Sequence, residues 1–207
     1  AGMKWSFLTK DSFPRYVVVN SDESEPGTFK DRDILTNNPF QFLEGAMITA
    51  YASQANTIYN YVRGEYWDLV SFLEACVAQL YKRGYLGEKI FGTDFKLDFY
   101  HHRGAGAYIC GEESALLESI EGKLGQPRLR PPFPADKGLY AKPTVVNNAE
   151  TLTNVPYIIQ NGAAAYRVNG TEKSPGTKVF CLSGHIQKPG VVDLFFNVTA
   201  RAQIYTH

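Results

Sequence analysis

The sequence predicts an α/β fold, built on a mainly parallel sheet with flanking helices. Strand patterns and helix patterns alternate along most of its 207 residues, and this β-α-β-α order is typical of a parallel sheet. The hydrophobic content of 44% and the charged content of 20% fit a globular protein. The first strand pattern, at residues 16–20, is a short continuous apolar run, which is typical of a buried strand.

The strongest helix pattern covers residues 67–82. Its apolar residues recur at the i, i+3, i+4 spacing of an amphipathic helix, and Cys76 lies on that face, which predicts a core position. Gly84 and Gly87 end this pattern. The other predicted elements are a helix over 40–53, strands over 57–62 and 96–101, helices over 112–119 and around 152–160, and strands over 179–183 and 191–195.

We expect two domains, residues 1–169 and residues 170–207. The stretch T-E-K-S-P-G at 171–176 resembles a linker, and two short strand patterns separated by a Pro189-Gly190 turn follow it. The second region is predicted to be the start of a small α+β domain that is cut short. Because Ala1-Gly2-Met3 is not a normal translation start, we also expect the chain to be a fragment.

Charge and cysteine content argue against several classes of protein. The formal net charge is zero, whereas nucleic-acid-binding domains usually have a basic balance. No apolar run approaches the roughly 20 residues of a membrane-spanning helix, and no signal-peptide pattern opens the chain. Cys76, Cys110 and Cys181 are few and far apart, so we expect no disulfide framework and no metal site, and a reducing compartment.

An acidic loop follows the first strand pattern. This acidic loop, residues 20–33, reads N-S-D-E-S-E-P-G-T-F-K-D-R-D and carries Asp22, Glu23 and Glu25. Carboxylates accept hydrogen bonds from sugar hydroxyls and ring N–H groups but do not cradle phosphate. In open α/β sheets, ligands bind at the carboxyl ends of strands. The loop therefore indicates a hydroxyl-rich ligand, with an acidic surface turn at Pro26-Gly27 as the alternative.

A glycine-containing segment, G-A-G-A-Y-I-C-G-E-E at 104–113, precedes a helix pattern. Glycines allow a backbone to approach a ligand closely, and a helix N-terminus offers unpaired N–H groups. The alternative is that Glu112 and Glu113 complement the dipole of the helix that follows. Cys110 lies where a thiol pKa can be lowered, but a small packed residue is the simpler interpretation.

A proline-rich loop, K-L-G-Q-P-R-L-R-P-P-F-P at 123–134, carries Arg128, Arg130 and Phe133. An aromatic ring beside cations can stack on a nucleobase and meet phosphates. A stiff structural crossing explains the same prolines without a ligand.

Asn147 and Asn148 follow another strand pattern and precede a helix. Asn148 is a candidate helix N-cap, and either amide can bind the edge of a heterocycle because it both donates and accepts.

Two clusters resemble metal sites but do not fit one. His101 and His102 are adjacent in a strand, so their side chains lie on opposite faces and cannot chelate one ion. We expect Asp31, Arg32 and Asp33 to form surface ion pairs.

Five ordered motifs, taken together, resemble a known family over essentially the whole chain. They are G-M-K-W-S-F at 2–7, the acidic loop, G-A-G-A-Y-I-C-G-E-E, P-R-L-R-P-P-F-P-A-D at 127–136 and V-N-N-A-E-T-L at 146–152. The chain resembles the flavoprotein subunit of respiratory complex I, the F subunit of NADH-quinone oxidoreductase. Diaphorase subunits of NAD-linked hydrogenases and formate dehydrogenases share the motifs. The resemblance implies a Rossmann-like domain that binds FMN and NADH over residues 1–169, and the start of a ubiquitin-like domain over 170–207.

The resemblance also implies which residues bind each ligand. No protein group is expected to act as the catalyst itself, because hydride chemistry occurs on FMN, with Glu23 and Glu112 as the nearest supporting groups. The residues expected to bind FMN are Lys4, Asn20, Asp22, Glu23, Tyr108, Gly111, Glu112, Asn147 and Asn148. The residues expected to bind NADH are Phe7, Glu25, Glu113, Arg130 and Phe133, with Phe7 and Phe133 on either side of the adenine.

In this family, hydride passes from NADH to FMN, and electrons then leave singly for iron–sulfur clusters. The implied partners are a thioredoxin-like 2Fe-2S subunit of the E type and a large iron–sulfur subunit of the G type, without nucleic acid or direct membrane insertion. The implied location is the cytoplasmic face of a bacterial inner membrane or the mitochondrial matrix side.

Two parts expected of the full-length subunit are not found in this sequence. They are the glycine-rich phosphate loop, expected before Gly2, and the C-terminal cysteine cluster that holds a 4Fe-4S centre. We therefore expect the middle of the subunit. A diaphorase subunit of a hydrogenase, formate dehydrogenase or bifurcating enzyme is one alternative function, and an interaction domain without FMN is another.

Overall fold

The computed structural model describes residues 1–195, 199 and 201. Its main sheet contains four strands, β1 (Tyr16–Ser21), β2 (Thr57–Val62), β3 (Asp98–Arg103) and β4 (Thr144–Asn148). The strand order is β3-β2-β1-β4, and every neighbouring pair is parallel. Helices lie on both sides of the sheet, so the predicted fold class is confirmed.

Eight α-helices occur in the described residues. They are α1 (Gly2–Ser6), α2 (Lys30–Asn37), α3 (Pro39–Ser53), α4 (Trp67–Lys82), α5 (Glu113–Ile120), α6 (Pro134–Lys137), α7 (Ala149–Thr153) and α8 (Val155–Arg167). A separate antiparallel pair, β5 (Thr177–Leu182) and β6 (Gly190–Phe195), follows them. The predicted domain boundary at residues 169 and 170 stays a prediction. No helix of the described part of the chain is long and apolar enough to cross a membrane.

The alternation of side chains along β1 divides the core into two clusters. Val17 and Val19 pack in the larger cluster with residues of α3 and α4, and Cys76 is buried there as predicted. Val18 packs in the smaller cluster with Leu116 of α5. Because both faces of β1 are covered, its sequence is continuously apolar, and its polar residues begin only where the strand ends.

Several elements differ from the sequence predictions, and three of the differences have a clear physical reason. β3 begins two residues later than expected, because Leu97 instead pairs with Gly87 in an antiparallel bridge. The helix expected around 152–160 is divided into α7 and α8, with Pro156 in the first turn of α8, where a missing N–H costs nothing. α2 was not predicted, although Asp31 and Asp33 in its first turn suit a helix N-terminus.

Candidate functional site

A continuous cleft lies at the carboxyl ends of β1 and β4. It consists of three adjoining cavities of about 630, 590 and 430 Å³. Lys4, Glu113, Arg130 and Val146 line both the first and the second cavity. The second and third cavities share lining residues in the same way, namely Asn20, Gly111, Glu112 and Asn148.

Every residue that the family resemblance assigns to FMN or NADH lines this cleft. The segments that carry them are far apart in the sequence and meet because parallel strands end at the same edge of a sheet. The first cavity contains Phe7 and Phe133, the second contains Asn147, and the third contains Asp22, Glu23, Glu25 and Tyr108. The remaining predicted residues, Lys4, Asn20, Gly111, Glu112, Glu113, Arg130 and Asn148, lie where two cavities adjoin.

Glu23 holds the acidic loop against two other elements. Its carboxylate accepts hydrogen bonds from the backbone N–H groups of Asp31 (2.8 Å) and Arg32 (3.1 Å), at the N-terminus of α2. It also accepts one from the hydroxyl of Tyr66 (3.2 Å), and its backbone carbonyl accepts one from Arg63 (2.9 Å). Both carboxylate oxygens are therefore used within the protein, so the side chain of Glu23 shapes the cleft wall.

Asp22 is different, because one of its oxygens has no partner. The residue is only 9% exposed, and Oδ2 is buried without a hydrogen bond in the described structure. Burial, reinforced by the carboxylate of Glu65, raises the pKa of Asp22 to about 6. Because a buried oxygen without a partner is costly, this atom is suited to a donor from a ligand.

Asn20 and Asn148 connect the ends of β1 and β4. Nδ2 of Asn20 donates to the carbonyl of Gly111 (2.8 Å), and Nδ2 of Asn148 donates to the carbonyl of Asn20 (3.1 Å). Oδ1 of Asn148 accepts from the N–H of Glu150 (3.0 Å), which confirms Asn148 as the N-cap of α7. These amides fix the positions of the strand ends around the cleft.

The start of α5 carries two carboxylates with different partners. Oε2 of Glu112 caps the helix through the N–H groups of Ser114 (2.9 Å) and Ala115 (3.0 Å), while Oε1 pairs with Arg130. Burial opposes the charged form, but the bonds from Ser114 and Ala115 and the charge of Arg130 outweigh it and lower the pKa of Glu112. Glu112 is therefore the N-cap of α5, a position that agrees with the expectation that it complements the helix dipole.

Glu113 lies between two cations at the mouth of the first cavity. Its carboxylate pairs with Lys4 (2.9 Å) and with Arg130 (3.4 Å). Lys4 also donates to the carbonyl of Val146 (3.3 Å). These half-exposed pairs can exchange partners when an anionic ligand enters, since ion pairs near solvent are weak.

Aromatic side chains form the far end of the cleft. Phe7 is 64% exposed and Phe133 is 58% exposed. Among the ring contacts of the described residues, none joins these two rings. The N-terminal segment is held to this side of the cleft by Thr9, whose hydroxyl donates to Asp136 (2.9 Å).

Two further contacts complete the cleft. The hydroxyl of Tyr108 donates to Glu25 (2.5 Å), which brings the glycine-containing segment against the acidic loop. The indole N–H of Trp5 donates to Oδ1 of Asn147 (2.9 Å), leaving the amide nitrogen of Asn147 out of this bond. Trp5 was not predicted as a site residue, although it lies within the G-M-K-W-S-F motif.

One prediction about the two clusters that resemble metal sites was wrong. Asp31 is buried and does not form a surface ion pair; it pairs with Lys30 (2.6 Å) and accepts a hydrogen bond from Asn148 (2.7 Å). Its position in the first turn of α2 explains the burial, because the unpredicted helix places it in the wall of the third cavity beside Lys30 and Asn148. Lys30 and Glu150 belong to the same network and were also not predicted.

The structure also shows where the two adjacent histidines, Cys110 and Arg128 lie. His101 contacts Asn60, while His102 stacks on Tyr61, so they do lie on opposite faces. Cys110 is buried, as a packed residue would be. Arg128 does not project into the cleft but pairs with Glu118 and Glu121. In the described part of the chain, no group of His, Cys, Asp and Glu side chains forms a metal site.

Comparison with known sequences places these residues in a family. A family model described as the Nuo51 FMN-binding domain matches residues 1–157. The F 2 subunit of NADH-quinone oxidoreductase of Rhizobium meliloti is 51% identical over 207 residues, which are 100% of this chain and 49% of that protein. The F subunit of NADH-quinone oxidoreductase of Aquifex aeolicus is 50% identical over 100% of this chain and 48% of its own length.

A eukaryotic relative and a solved structure agree with this. The mitochondrial NADH dehydrogenase [ubiquinone] flavoprotein 1 of Dictyostelium discoideum is 47% identical over 100% of this chain and 44% of its own length. The crystal structure of an NAD⁺-reducing [NiFe]-hydrogenase in the air-oxidized state superposes with a TM-score of 0.89 at 41% identity. That match covers 98% of this chain and 34% of the hydrogenase chain.

The chain thus spans about half the length of the curated relatives that it matches. The region matched by the family model contains all five motifs and the whole cleft. The chain belongs to the Nuo51 FMN-binding domain family, whose relatives include the F subunits of NADH-quinone oxidoreductase.

Proposed function

We propose that this chain provides the FMN- and NADH-binding cleft of an NADH dehydrogenase module of complex I. One observation carries the proposal: a single cleft at the carboxyl ends of β1 and β4 is lined by every residue that the family motifs assign to the two ligands. A cleft of this kind, at the strand ends of a parallel sheet, is where nucleotide ligands bind in α/β proteins.

The residues present fit a flavin. Oδ2 of Asp22 is buried without a partner, so a ring N–H or a ribityl hydroxyl of FMN would satisfy it. A side chain at Gly111 would begin 3.4 Å from the carbonyl of Asp22, so glycine leaves that space to a ligand. Asn20, Asn147 and Tyr108 would border the same ring, and Lys4 would lie toward the FMN phosphate.

Three of the residues predicted to bind FMN would act indirectly, by holding the backbone around the ligand. Glu23, Glu112 and Asn148 use their side-chain oxygens on N–H groups of α2, α5 and α7, so they would hold the backbone around FMN. Such preorganised walls reduce the cost of ordering a site when the ligand binds.

NADH would occupy the other part of the cleft. Phe7 and Phe133 would stack on either face of the adenine, which is favourable because aromatic rings stack on nucleobases. Arg130 and Glu113 would lie beside the phosphates and the nicotinamide, and Glu25, which lines the third cavity, would face a ribose of NADH. Like-charge repulsion between Glu25 and a 2′-phosphate would disfavour NADPH.

When bound, FMN would supply the redox chemistry, because it accepts two electrons together as one hydride and releases these electrons one at a time. This chain's residues would orient the nicotinamide against the flavin, with Glu23 and Glu112 nearest to that point. The hydrogen bonds that Glu23 accepts from Asp31, Arg32 and Tyr66 would hold this part of the cleft wall in place.

We further propose that the chain is part of a peripheral subunit in a multisubunit complex. The partners would be a thioredoxin-like 2Fe-2S subunit and a large iron–sulfur subunit, at the cytoplasmic face of a bacterial inner membrane or on the mitochondrial matrix side. A 4Fe-4S cluster would belong to the full-length subunit. Residues 1–169 would bind FMN and NADH, and residues 170–207 would begin a ubiquitin-like domain.

A diaphorase subunit is the second candidate function. The resemblance to the NAD⁺-reducing [NiFe]-hydrogenase, with a TM-score of 0.89, supports it. The curated relatives with about 50% identity over the whole chain favour the complex I module instead. An interaction domain without FMN is the third candidate, and the unpartnered carboxylate oxygen of Asp22 argues against it.

The proposal is tested by titrating FMN into the complete subunit that contains this chain. We expect the visible absorption bands of a bound flavin and their bleaching by NADH in the absence of oxygen. An Asp22→Ala variant should bind FMN at least about tenfold more weakly, because it removes the unpaired acceptor. A complete subunit that is folded but shows no flavin bands would rule out both NADH-oxidising candidates.

A further inference from the structure

Glu150 is a buried carboxylate that the proposed ligand contacts do not use. It is 4% exposed, lies in the first turn of α7, and is not among the residues that line the cleft. Oε1 accepts a hydrogen bond from the N–H of Val179 (2.9 Å), and Oε2 pairs with Lys178 and with Lys30 (3.0 Å). Because Lys178 and Val179 belong to β5, this carboxylate joins the small sheet to the main sheet.

Lys30, which belongs to the acidic loop, connects Glu150 to that loop. Its ammonium group lies 2.6 Å from Asp31, 3.0 Å from Glu150 and 3.2 Å from Oδ1 of Asn148. A lysine ammonium has three N–H donors, so all three are used by these acceptors. Although Lys30 lines the third cavity, it therefore has no donor left for a ligand and serves to hold its neighbours.

Asn148 is the next member of this network and is equally occupied. Its Oδ1 accepts from Lys30 and from the N–H of Glu150, while its Nδ2 donates to Asp31 and to the carbonyl of Asn20. All the bonding capacity of this amide is used. Displacement of Lys30 would therefore disturb the end of β1, where the acidic loop begins.

A second contact connects β5 to Phe29, the residue before Lys30 in the same loop. The N–H of Phe29 donates to Sγ of Cys181 (3.1 Å), and Phe29 is the N-cap residue of α2. The next N–H groups of that helix bind Glu23. The strand β5 thus reaches the acidic loop directly through Cys181 and indirectly through Glu150 and Lys30.

We propose that β5 orders the acidic loop through Glu150, which makes Glu150 a positioning residue for the cleft. Removing one partner from a buried ion-pair network leaves the others without compensation, so the remaining groups rearrange or admit water. Asp31, Asn148 and the backbone around Asn20 are the groups that would move. The consequence for FMN affinity rests on the proposed function, whereas the ordering of the loop does not.

Hydrogen exchange of the backbone amides tests the ordering directly. The complete subunit is compared with Glu150→Gln, Lys178→Met and Lys178→Arg variants, and with Glu44→Gln, which changes an exposed carboxylate on α3. We expect exchange in residues 20–33 to accelerate by about tenfold in Glu150→Gln and Lys178→Met, while amides of β2 stay protected. Lys178→Arg and the Glu44 control should match the wild type.

Flavin fluorescence gives the second readout. Titration of FMN into the same variants should show several-fold weaker binding for Glu150→Gln and Lys178→Met. Should Glu150→Gln fail to fold, Lys178→Met decides alone, since its side chain is partly exposed.

Unchanged loop exchange in Lys178→Met would overturn the proposal that β5 orders the loop. Faster exchange with unaltered FMN affinity would overturn the role of Glu150 as a positioning residue for the cleft. A wild-type subunit that binds no FMN would overturn the proposed function instead. The exchange data alone would then decide whether β5 orders the loop.

Discussion

The two ends of the cleft are built in different ways. The acidic end, formed by Asn20, Asp22, Glu23 and Asn148, is mostly buried and joined by hydrogen bonds to neighbouring helices. The aromatic end, formed by Phe7, Arg130 and Phe133, has exposed rings and ion pairs open to solvent. Both ends lie in one continuous cleft, so they differ in how firmly they are held and not in location.

The difference between the two ends indicates which kind of ligand suits each of them. A largely buried wall with most of its hydrogen bonds already made favours a ligand that stays bound, because most of its geometry is set before binding. Exposed rings and weak ion pairs can adjust as a ligand enters and leaves. The acidic end therefore suits the FMN of the proposed function, and the aromatic end suits NADH, which would exchange at every turnover.

The largest expected effect is on the acidic end. Glu23→Ala should lower the free energy of unfolding by about 3 kcal/mol, because it leaves the N–H groups of Asp31 and Arg32 and the hydroxyl of Tyr66 without their acceptor. Urea denaturation measures the change. The control, Glu44→Ala at an exposed site on α3, should stay within about 0.5 kcal/mol of the wild type. Equal values for both variants would contradict the idea of a preorganised acidic end.

The second prediction concerns the pH dependence of the same end. The pKa of Asp22 is raised from 3.8 to about 6, so the folded state binds this proton more tightly than the unfolded chain does. The contribution of Asp22 to stability is therefore highest below about pH 4 and falls as the pH rises to about 6. Asp22→Asn removes this dependence, so its stability relative to the wild type should increase by about 2 kcal/mol between pH 4 and pH 7.

Urea unfolding of both proteins at several pH values gives that difference. At pH 4 the two should be nearly equal, because the wild-type carboxyl is then protonated in the folded state. A constant difference across the pH range would show that Asp22 is not destabilised by its burial.

The third prediction moves to the aromatic end. Phe133→Ala should weaken NADH binding by about 1–2 kcal/mol through loss of stacking, with FMN affinity and unfolding free energy nearly unchanged. Leu129→Ala is the matched control, since Leu129 lies in the same proline-rich loop and is 92% exposed. Calorimetric titration with NADH distinguishes the two. Loss of FMN affinity in Phe133→Ala would mean that the two ends are not separate.

The smallest expected effect concerns Glu25, an exposed residue that lines the third cavity beside Asp22. Glu25→Gln should raise the NADPH/NADH ratio of kcat/KM by about tenfold or less, since an exposed carboxylate repels a phosphate only modestly. Tyr108→Phe removes the hydrogen bond to Glu25 but keeps its charge, so it should leave the ratio unchanged. Steady-state kinetics of complete subunits provide the comparison, and an unaltered ratio in Glu25→Gln would sink the idea.

Much of this site could be predicted because its residues follow strand patterns. The apolar run of β1 ends at the acidic loop, and β4 ends at Asn147 and Asn148, so both polar sets were expected at one edge of the sheet. The family motifs then indicated which residue types should face a ligand. All the predicted residues line the cleft, although their individual ligand contacts stay predictions.

Local sequence patterns could not reveal which polar side chains are already bonded to other parts of the protein. Asp31 was expected on the surface, but its partner Asn148 lies 117 positions away in the sequence. Lys30 and Glu150 carried no signal for the same reason, since their acceptors and donors belong to α7 and β5. Burial and pairing of charges depend on contacts between distant segments, which no spacing rule describes.

The α/β architecture, the five motifs and the edge of the sheet where their polar residues lie could all be recognised from the sequence. Periodicity and the composition of strand ends are local properties, so they can be recognised without coordinates. Only the tertiary structure decided that Glu23, Lys30 and Asn148 are used up within the protein, whereas Asp22 keeps an oxygen free. The reason is that each buried polar atom is satisfied by whichever segment packs against it, and that packing exists only in the folded chain.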